Sequence, residues 1–150
     1  MTPVMTPPIT PPITPGMTPA FAQQMLADFF AQWVQALDLT IVSIDTEHVL
    51  VRMPLGKHLA RVGGIVSGQA LAALADTGMV FAAMGNCGEP RAFATTDLHT
   101  QFLRPGVGSA ILCRAHVVRA GKALVFARAD MTQADDGKLV ATATATFFAP

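Results

Sequence analysis

Two positions in the apolar segment 67–84 carry residue types that could do chemistry, and they lie eight residues apart. Gly68 stands where the segment begins, and Asp76 stands in its middle among Ala, Leu, Val, Met and Phe. The start of a helix presents unpaired N–H groups and a positive dipole end, which can stabilise an oxygen that gains negative charge in acyl transfer. An ionised carboxylate among apolar side chains is costly unless it is paired or serves a reaction. These residue types therefore point to an oxyanion site at Gly68 and an acid or base at Asp76.

Each of these positions also has a purely structural interpretation. Ser67 is a common helix N-cap, and Gly68 would then only allow a tight entry into the helix. Asp76 could accept hydrogen bonds from backbone or from a partner helix and so hold a dimer together, because buried acids are usually paired. The sequence alone leaves these alternatives open.

The spacing decides how the two positions could act together. Eight residues of helix, at about 1.5 Å each, separate Gly68 from Asp76 by roughly 12 Å. One helix therefore cannot bring both to the same carbonyl, whereas two antiparallel copies could place Gly68 of one chain beside Asp76 of the other. A joint site predicts a dimer.

The chain before the central segment predicts one helix and two strands. The segment 19–37 is expected to form an amphipathic helix, with Pro19 well placed in its first turn. Its apolar stripe is expected to face the core and consists of Phe21, Met25, Phe29, Trp33 and Ala36. The segment 39–55 alternates in hydrophobicity and predicts two strands that turn near Asp45.

Four strand-like runs follow the central segment, after a predicted turn at 85–91. They lie near 93–103, 109–120, 123–134 and 138–149, and short connections favour antiparallel pairing. In the last run, threonines and alanines alternate, which puts three alanines on one face. Such a face lets the central helix approach closely, and that helix is apolar nearly all round. The expected class is α+β, with one curved antiparallel sheet around one buried helix.

Composition excludes several classes of function. Net charge is zero and only 13% of the 150 residues are charged. The sequence has no basic tract of the kind that binds nucleic acid, so nucleic acid is not expected as a partner. Cys87 and Cys113 lack ligand or disulfide spacing and fit a reducing compartment, which favours the cytoplasm. The apolar run at 70–84 is shorter than the roughly 20 residues that span a membrane, so no membrane partner is expected.

The first residues differ from the rest in composition. Residues 1–18 repeat Thr-Pro units, have no signal-peptide pattern and predict a disordered or extended arm. Residues 19–150 are expected to form a single domain.

Two segments resemble a known family. "GGIVSGQALAALADTG" and "TTDLHTQFLRP" are similar to the hotdog-fold thioesterases of the phenylacetate-pathway (PaaI-like) type, which carry a G-x-x-H-G-G segment followed by L-A-D-T. The resemblance covers about residues 20–150. It implies the hotdog fold, a curved antiparallel sheet wrapped around a long central helix, and hydrolysis of acyl-CoA thioesters to free acid and coenzyme A.

The resemblance also implies roles for single residues. Gly68 matches the glycine whose N–H polarises the thioester carbonyl, and Asp76 matches the catalytic acid, as nucleophile or as general base for water. In the family these come from different subunits of a homodimer, and whether two dimers associate stays open. No cofactor is implied, because coenzyme A is part of the substrate. The residues expected to contact the substrate are Arg61, Ser67, Gln69, Thr77, Arg119, Gly121 and Lys122, the last three as a basic turn near the coenzyme A phosphates.

The sequence departs from the family pattern at three of these positions. Ser67 replaces the usual His, Gln69 replaces the second glycine, and Arg61 stands where many members have Asn or Gln. These departures keep a second hypothesis open, a non-catalytic protein that binds acyl-CoA or an acyl carrier. A dehydratase on the same fold ranks last, because such enzymes use a His with a carboxylate.

Overall fold

The computed structural model describes residues 16–150. Its helices are α1 (Pro19–Phe29), α2 (Gln32–Gln35) and α3 (Gly68–Cys87), and its strands are β1 (Thr40–Ile44), β2 (Val49–Pro54), β3 (Ala94–Phe102), β4 (Ala110–Ala120), β5 (Leu124–Gln133) and β6 (Leu139–Phe148). The six predicted strands and the central helix are confirmed. Most of the predicted arm, residues 1–15, lies outside the described residues, while Met17 is buried and Thr18 caps α1.

The strands form one antiparallel sheet in the order β1-β2-β4-β5-β6-β3. The predicted alternation in β6 is confirmed, because Ala141, Ala143 and Ala145 are buried while the threonines between them are partly or fully exposed. α3 packs across the sheet and contacts all six strands. The arrangement is the expected hotdog fold, with the apolar helix enclosed by the sheet.

Two glycines let α3 lie close to its neighbours. A Cβ on Gly78 would come within 2.9 Å of Cys113 Sγ, and one on Gly85 would come within 2.5 Å of the Asp45 carbonyl oxygen. The helix runs through Cys87, so the prediction of a turn from residue 85 was wrong. It ends at Gly88, which adopts a left-handed conformation with φ of 75°.

α3 has the length and hydropathy of a helix that could cross a membrane, but most of it is buried inside the protein. A core helix of a domain passes the same test, so the finding is weak evidence for a membrane span.

The prediction of one helix over 19–37 was wrong. The backbone is extended at Phe30 and Ala31, which separates α1 from α2. The Gln35 side chain donates to the carbonyls of Leu26, Ala27 and Phe30 and so satisfies the end of α1.

The predicted core-facing stripe of this segment was wrong except at Met25, which packs partly against the core. Phe29 is 78% exposed and Trp33 is 63% exposed, whereas Ala22, Leu26 and Val34 are buried. The Gln23 side chain donates to Leu39 O and accepts from Ile41 N, and these bonds fix the face that α1 turns to the edge of the sheet.

Candidate active site

The Asp76 carboxylate is half-buried on α3 and has one side-chain partner on a neighbouring strand. Thr95 Oγ1 donates to Asp76 Oδ1 at 2.8 Å. A β-bulge between Thr95 and Asp97 makes this contact possible. Thr95 pairs with the buried Phe147, whereas Asp97 pairs with Thr146 one position along β6, so the two side chains point to opposite faces.

Two opposing effects act on the protonation of Asp76. Burial raises the pKa of its carboxyl above the ordinary aspartate value of 3.8, because the charged form loses hydration. The hydrogen bond from Thr95 acts in the opposite direction and lowers the pKa, since it favours the ionised form. Burial is the larger effect, so the site holds a carboxylate that is more basic than an ordinary aspartate.

Gly68 is the first residue of α3, and its amide lies in the turn whose N–H groups have no acceptor within the helix. Ser67 caps the helix, because its side chain accepts a hydrogen bond from Ala70 N at 3.3 Å. The Phe102 ring lies over Gly68, and a Cβ there would come within 3.2 Å of Phe102 Cζ. The absence of a side chain therefore lets the end of β3 pack on the start of α3.

Gly68 and Asp76 line different cavities. Asp76 and Thr95 belong to the wall of an apolar cavity of about 780 Å³ between α1, α2 and α3. Gly68 borders a second cavity of about 330 Å³, whose lining includes Arg61, Phe102 and the segment 103–106. A single chain thus presents the two candidate groups in separate places, in agreement with the distance expected from the helix geometry.

The other predicted contact residues are dispersed. Arg61 is exposed and shares the cavity of Gly68, whereas Gln69 is exposed and lines neither cavity. Thr77 is buried, and its hydroxyl donates to Ala73 O at 2.8 Å. Arg119, Gly121 and Lys122 are exposed around the turn between β4 and β5, and they line neither cavity.

The structure also places residues near Asp76 that the sequence did not connect with the site. Thr95 is one, and the exposed aromatic side chains of α1 and α2 that line the same cavity are the others. The paired threonines that open β3 are a sequence signal for Thr95, but the bulge that turns it inward depends on pairing with β6. Among residues 16–150, no group of three or more His, Cys, Asp or Glu side chains could hold a metal ion.

Comparison with known proteins agrees with this fold. The family model described as the thioesterase superfamily matches residues 63–140. Mouse acyl-coenzyme A thioesterase 13 is 30% identical over 105 residues, which cover 69% of this chain and 74% of the mouse protein.

Solved structures with the same fold include bacterial proteins. The E. coli PaaI protein from the phenylacetic acid degradation operon superposes with a TM-score of 0.76 at 22% identity and covers 89% of this chain and 96% of its own. A thioesterase from Haemophilus influenzae superposes with a TM-score of 0.80 at 19% identity, covering 89% and 91%. These two likenesses establish the fold, and the family match spans α3, which carries both candidate groups. The chain therefore belongs to the thioesterase superfamily.

Proposed function

We propose that the protein hydrolyses acyl-CoA thioesters to a free acid and coenzyme A. The observation that carries the proposal is the Asp76 carboxylate, which is held by Thr95 in the wall of an apolar cavity and made more basic by burial. An apolar cavity with a few convergent polar groups and a titratable residue of shifted pKa is the usual form of a small-molecule site. The similarity to mouse acyl-coenzyme A thioesterase 13 supports the same substrate class.

Asp76 can act on the thioester in two ways. As a general base, it takes a proton from water while the water oxygen attacks the carbonyl carbon. As a nucleophile, it attacks the carbonyl itself and forms a mixed anhydride, which water then hydrolyses. In both routes the C–S bond breaks and coenzyme A leaves as its thiolate. The Gly68 N–H, at the positive end of α3, stabilises the negative charge that builds on the carbonyl oxygen. No cofactor is required, because water is the second substrate.

The proposal includes a homodimer whose site combines Gly68 of one chain with Asp76 of the other. β3 is a terminal strand of the sheet, nearly all of it is exposed, and its inward side presents Leu98 and Phe102 to the surface. A long exposed edge of this kind is a template for pairing with a second chain. Pairing along β3 would bring the two copies together at the strand that touches both candidate groups. In such a dimer, Arg61, Arg119 and Lys122 are the cations proposed to meet the coenzyme A phosphates.

The second candidate function is binding of acyl-CoA or an acyl carrier without hydrolysis. It is favoured by Ser67, Gln69 and Arg61, which alter the residues around Gly68 relative to the family pattern. This hypothesis predicts a ligand-bound protein that turns over no acyl-CoA, so it differs from the first in a single measurable property.

The test is hydrolysis of a panel of acyl-CoAs, followed through thiol release, by the unaltered protein and by Asp76→Asn. We expect turnover by the unaltered protein and a loss of about 10²–10⁴-fold in kcat for the variant, the usual contribution of an acid–base group. The variant should remain folded at neutral pH. A carboxyl whose folded-state pKa is raised destabilises the fold once it ionises, so removing its charge at pH 7 relieves a cost. Equal turnover by both proteins would exclude Asp76 as the reacting group, and ligand binding without turnover would establish the second function.

A further inference from the structure

Aromatic side chains that face outwards from α1 and α2 are a feature that the catalytic proposal does not use. Phe29 and Trp33 are 78% and 63% exposed, although both are large and apolar. Phe30, in the extended stretch between the helices, is half-buried, and its ring stacks on the buried Phe81 at a centroid distance of 5.3 Å at the inner side of the same cavity. The break in the helix thus places one aromatic ring against the core and leaves two exposed.

The exposed rings form one wall of the Asp76 cavity. The facing wall is a stripe along α3 made of Asp76, Val80 and Met84, all of which line the same cavity of about 780 Å³. Residues four apart share a helix face, so the carboxylate stands at one end of a straight apolar track. The track is about 12 Å long, at 1.5 Å per residue.

Two other charged side chains line the cavity, and each makes a hydrogen bond within the chain. Asp28 accepts from the Gln24 side chain at 2.9 Å. The Arg91 guanidinium donates to Pro150 O at 3.0 Å and lies 5.6 Å from the centroid of the Phe93 ring. Most of the surface that lines the cavity is apolar, and the reactive carboxylate lies at one end of it.

We propose that this cavity holds the acyl chain of the substrate, and that Phe29 and Trp33 determine specificity for an uncharged straight chain of about ten carbons. The inference rests on the proposed function for the position of the thioester carbonyl, which must lie beside Asp76. From that point the chain extends along Val80 and Met84, with the rings of α1 and α2 covering its other side. An extended chain advances about 1.3 Å per carbon, given C–C bonds of about 1.5 Å, so a track of about 12 Å takes nine or ten carbons.

The volume of the cavity agrees with an acyl chain of about ten carbons. A cavity of about 780 Å³ lies in the upper part of the range that holds drug-sized ligands, so acetyl and propionyl groups would leave most of it unfilled. Each methylene that leaves water for an apolar site should improve kcat/KM about fourfold until the track is full. The specificity then comes from the wall of α1 and α2 and not from the reacting groups.

The first test measures kcat/KM for straight-chain acyl-CoAs from two to fourteen carbons. We expect a steep rise to about ten carbons followed by a plateau or a fall. Phe29→Ala and Trp33→Ala should each lower kcat/KM for decanoyl-CoA about fifteenfold relative to kcat/KM for acetyl-CoA, the effect of exposing roughly two methylenes at about fourfold each. Phe126→Ala is the matched control, since Phe126 is an exposed aromatic on β5 that does not line the cavity.

The second test does not depend on hydrolysis. Trp33 is the only tryptophan of the chain, so its fluorescence reports directly on the cavity wall. In Asp76→Asn, decanoyl-CoA should shift the emission to shorter wavelength as the ring becomes covered, and coenzyme A alone should not.

The outcomes separate this inference from the proposed function. If acyl-CoAs are hydrolysed but kcat/KM is independent of chain length, or if Trp33→Ala affects acetyl-CoA and decanoyl-CoA equally, the inference fails and the function stands. If no acyl-CoA is hydrolysed while decanoyl-CoA still shifts the Trp33 emission, the hydrolytic function fails and the acyl cavity stands. If Phe29→Ala or Trp33→Ala reduces the molecular mass in solution, the rings belong to an interface between copies of the chain and the inference is overturned.

Discussion

At the scale of single residues, the reactivity of Asp76 depends on a balance between burial and one hydrogen bond. A fully solvated aspartate is a weak base, and a fully buried one would stay protonated at neutral pH. Partial burial raises the pKa of Asp76, and the Thr95 hydroxyl limits that rise by favouring the ionised form. Thr95 also fixes the direction in which the carboxylate points, so it is a positioning residue for Asp76.

Substitution of Thr95 should therefore move the pH dependence of hydrolysis. Catalysis needs the ionised carboxylate, so kcat/KM rises as pH passes upward through the pKa of Asp76. In the unaltered protein the midpoint should lie above the ordinary aspartate value of 3.8, and Thr95→Val should move it still higher because the lowering bond is lost. Thr95→Ser keeps a hydroxyl and should restore the original midpoint. A profile that is identical in Thr95→Val would show that the bond has no influence on the reacting form.

The backbone amide of Gly68 can be tested without disturbing the helix. Proline is tolerated at the first helical position, and the extended Ser67 with ψ of 147° is compatible with a following proline. Gly68→Pro removes the N–H and should reduce kcat about 10²–10³-fold, the usual effect of losing one oxyanion donor. Gly68→Ala keeps the N–H and only displaces the exposed Phe102 ring, so its loss in kcat should be much smaller. Similar losses in the two variants would mean that space at Gly68 matters and its N–H does not.

At the scale of elements, the position of α3 depends on how closely its last turns approach the rest of the fold. Gly85 faces the backbone carbonyl of Asp45 at the end of β1, and that oxygen cannot move aside as a flexible side chain could. The Cβ of Gly85→Ala would lie 2.5 Å from that oxygen and force α3 away from the sheet.

We expect Gly85→Ala to lower the free energy of unfolding by about 2 kcal/mol, since overpacking of a tight interior outweighs the better helix propensity of alanine. Urea denaturation followed by circular dichroism would measure the change. Gly16→Ala is the control, because no atom of the described residues 16–150 lies within 4 Å of a Cβ at that position, and its stability should stay within about 0.5 kcal/mol of the unaltered protein. Undiminished stability of Gly85→Ala would contradict the close packing of α3.

The elements also show which sequence patterns were informative. The alanines of β6 were correctly predicted to share one face, because successive side chains of a strand point to opposite faces and only one assignment of residues to the two faces is possible. The aromatic stripe of 19–37 was misassigned, since hydrophobic periodicity identifies a helix face without identifying what covers it. Here the small residue Ala22 and the neighbouring Leu26 pack inward, because Gln23 attaches α1 to β1, and the larger rings are left to line a cavity. The break at Phe30 and Ala31 has no proline or glycine and depends on the distant Gln35 side chain.

At the scale of the whole molecule, the sequence predicted the class of fold and the two candidate groups but not their surroundings. Gly68 and Asp76 stand in one continuous segment, where residue type and spacing are informative. Thr95 reaches Asp76 through a bulge that exists only when β3 pairs with β6, and the cavity requires α1, α2 and α3 together. Contacts of this kind join residues far apart in the chain, and local patterns do not encode them.

The proposal that each site takes Gly68 from one chain and Asp76 from the other makes a prediction about mixed dimers. Gly68→Pro and Asp76→Asn should each be nearly inactive alone, because every site in either homodimer lacks one group. After unfolding and refolding of an equal mixture, half of the dimers contain one copy of each variant. In such a dimer one site has both intact groups and the other has neither, so about one quarter of the original activity should return. A site built within a single chain would recover nothing, because every chain in the mixture carries one of the two defects. Recovery of activity on mixing, measured with the same acyl-CoA and compared with each variant refolded alone, therefore distinguishes the shared site from a site within one chain.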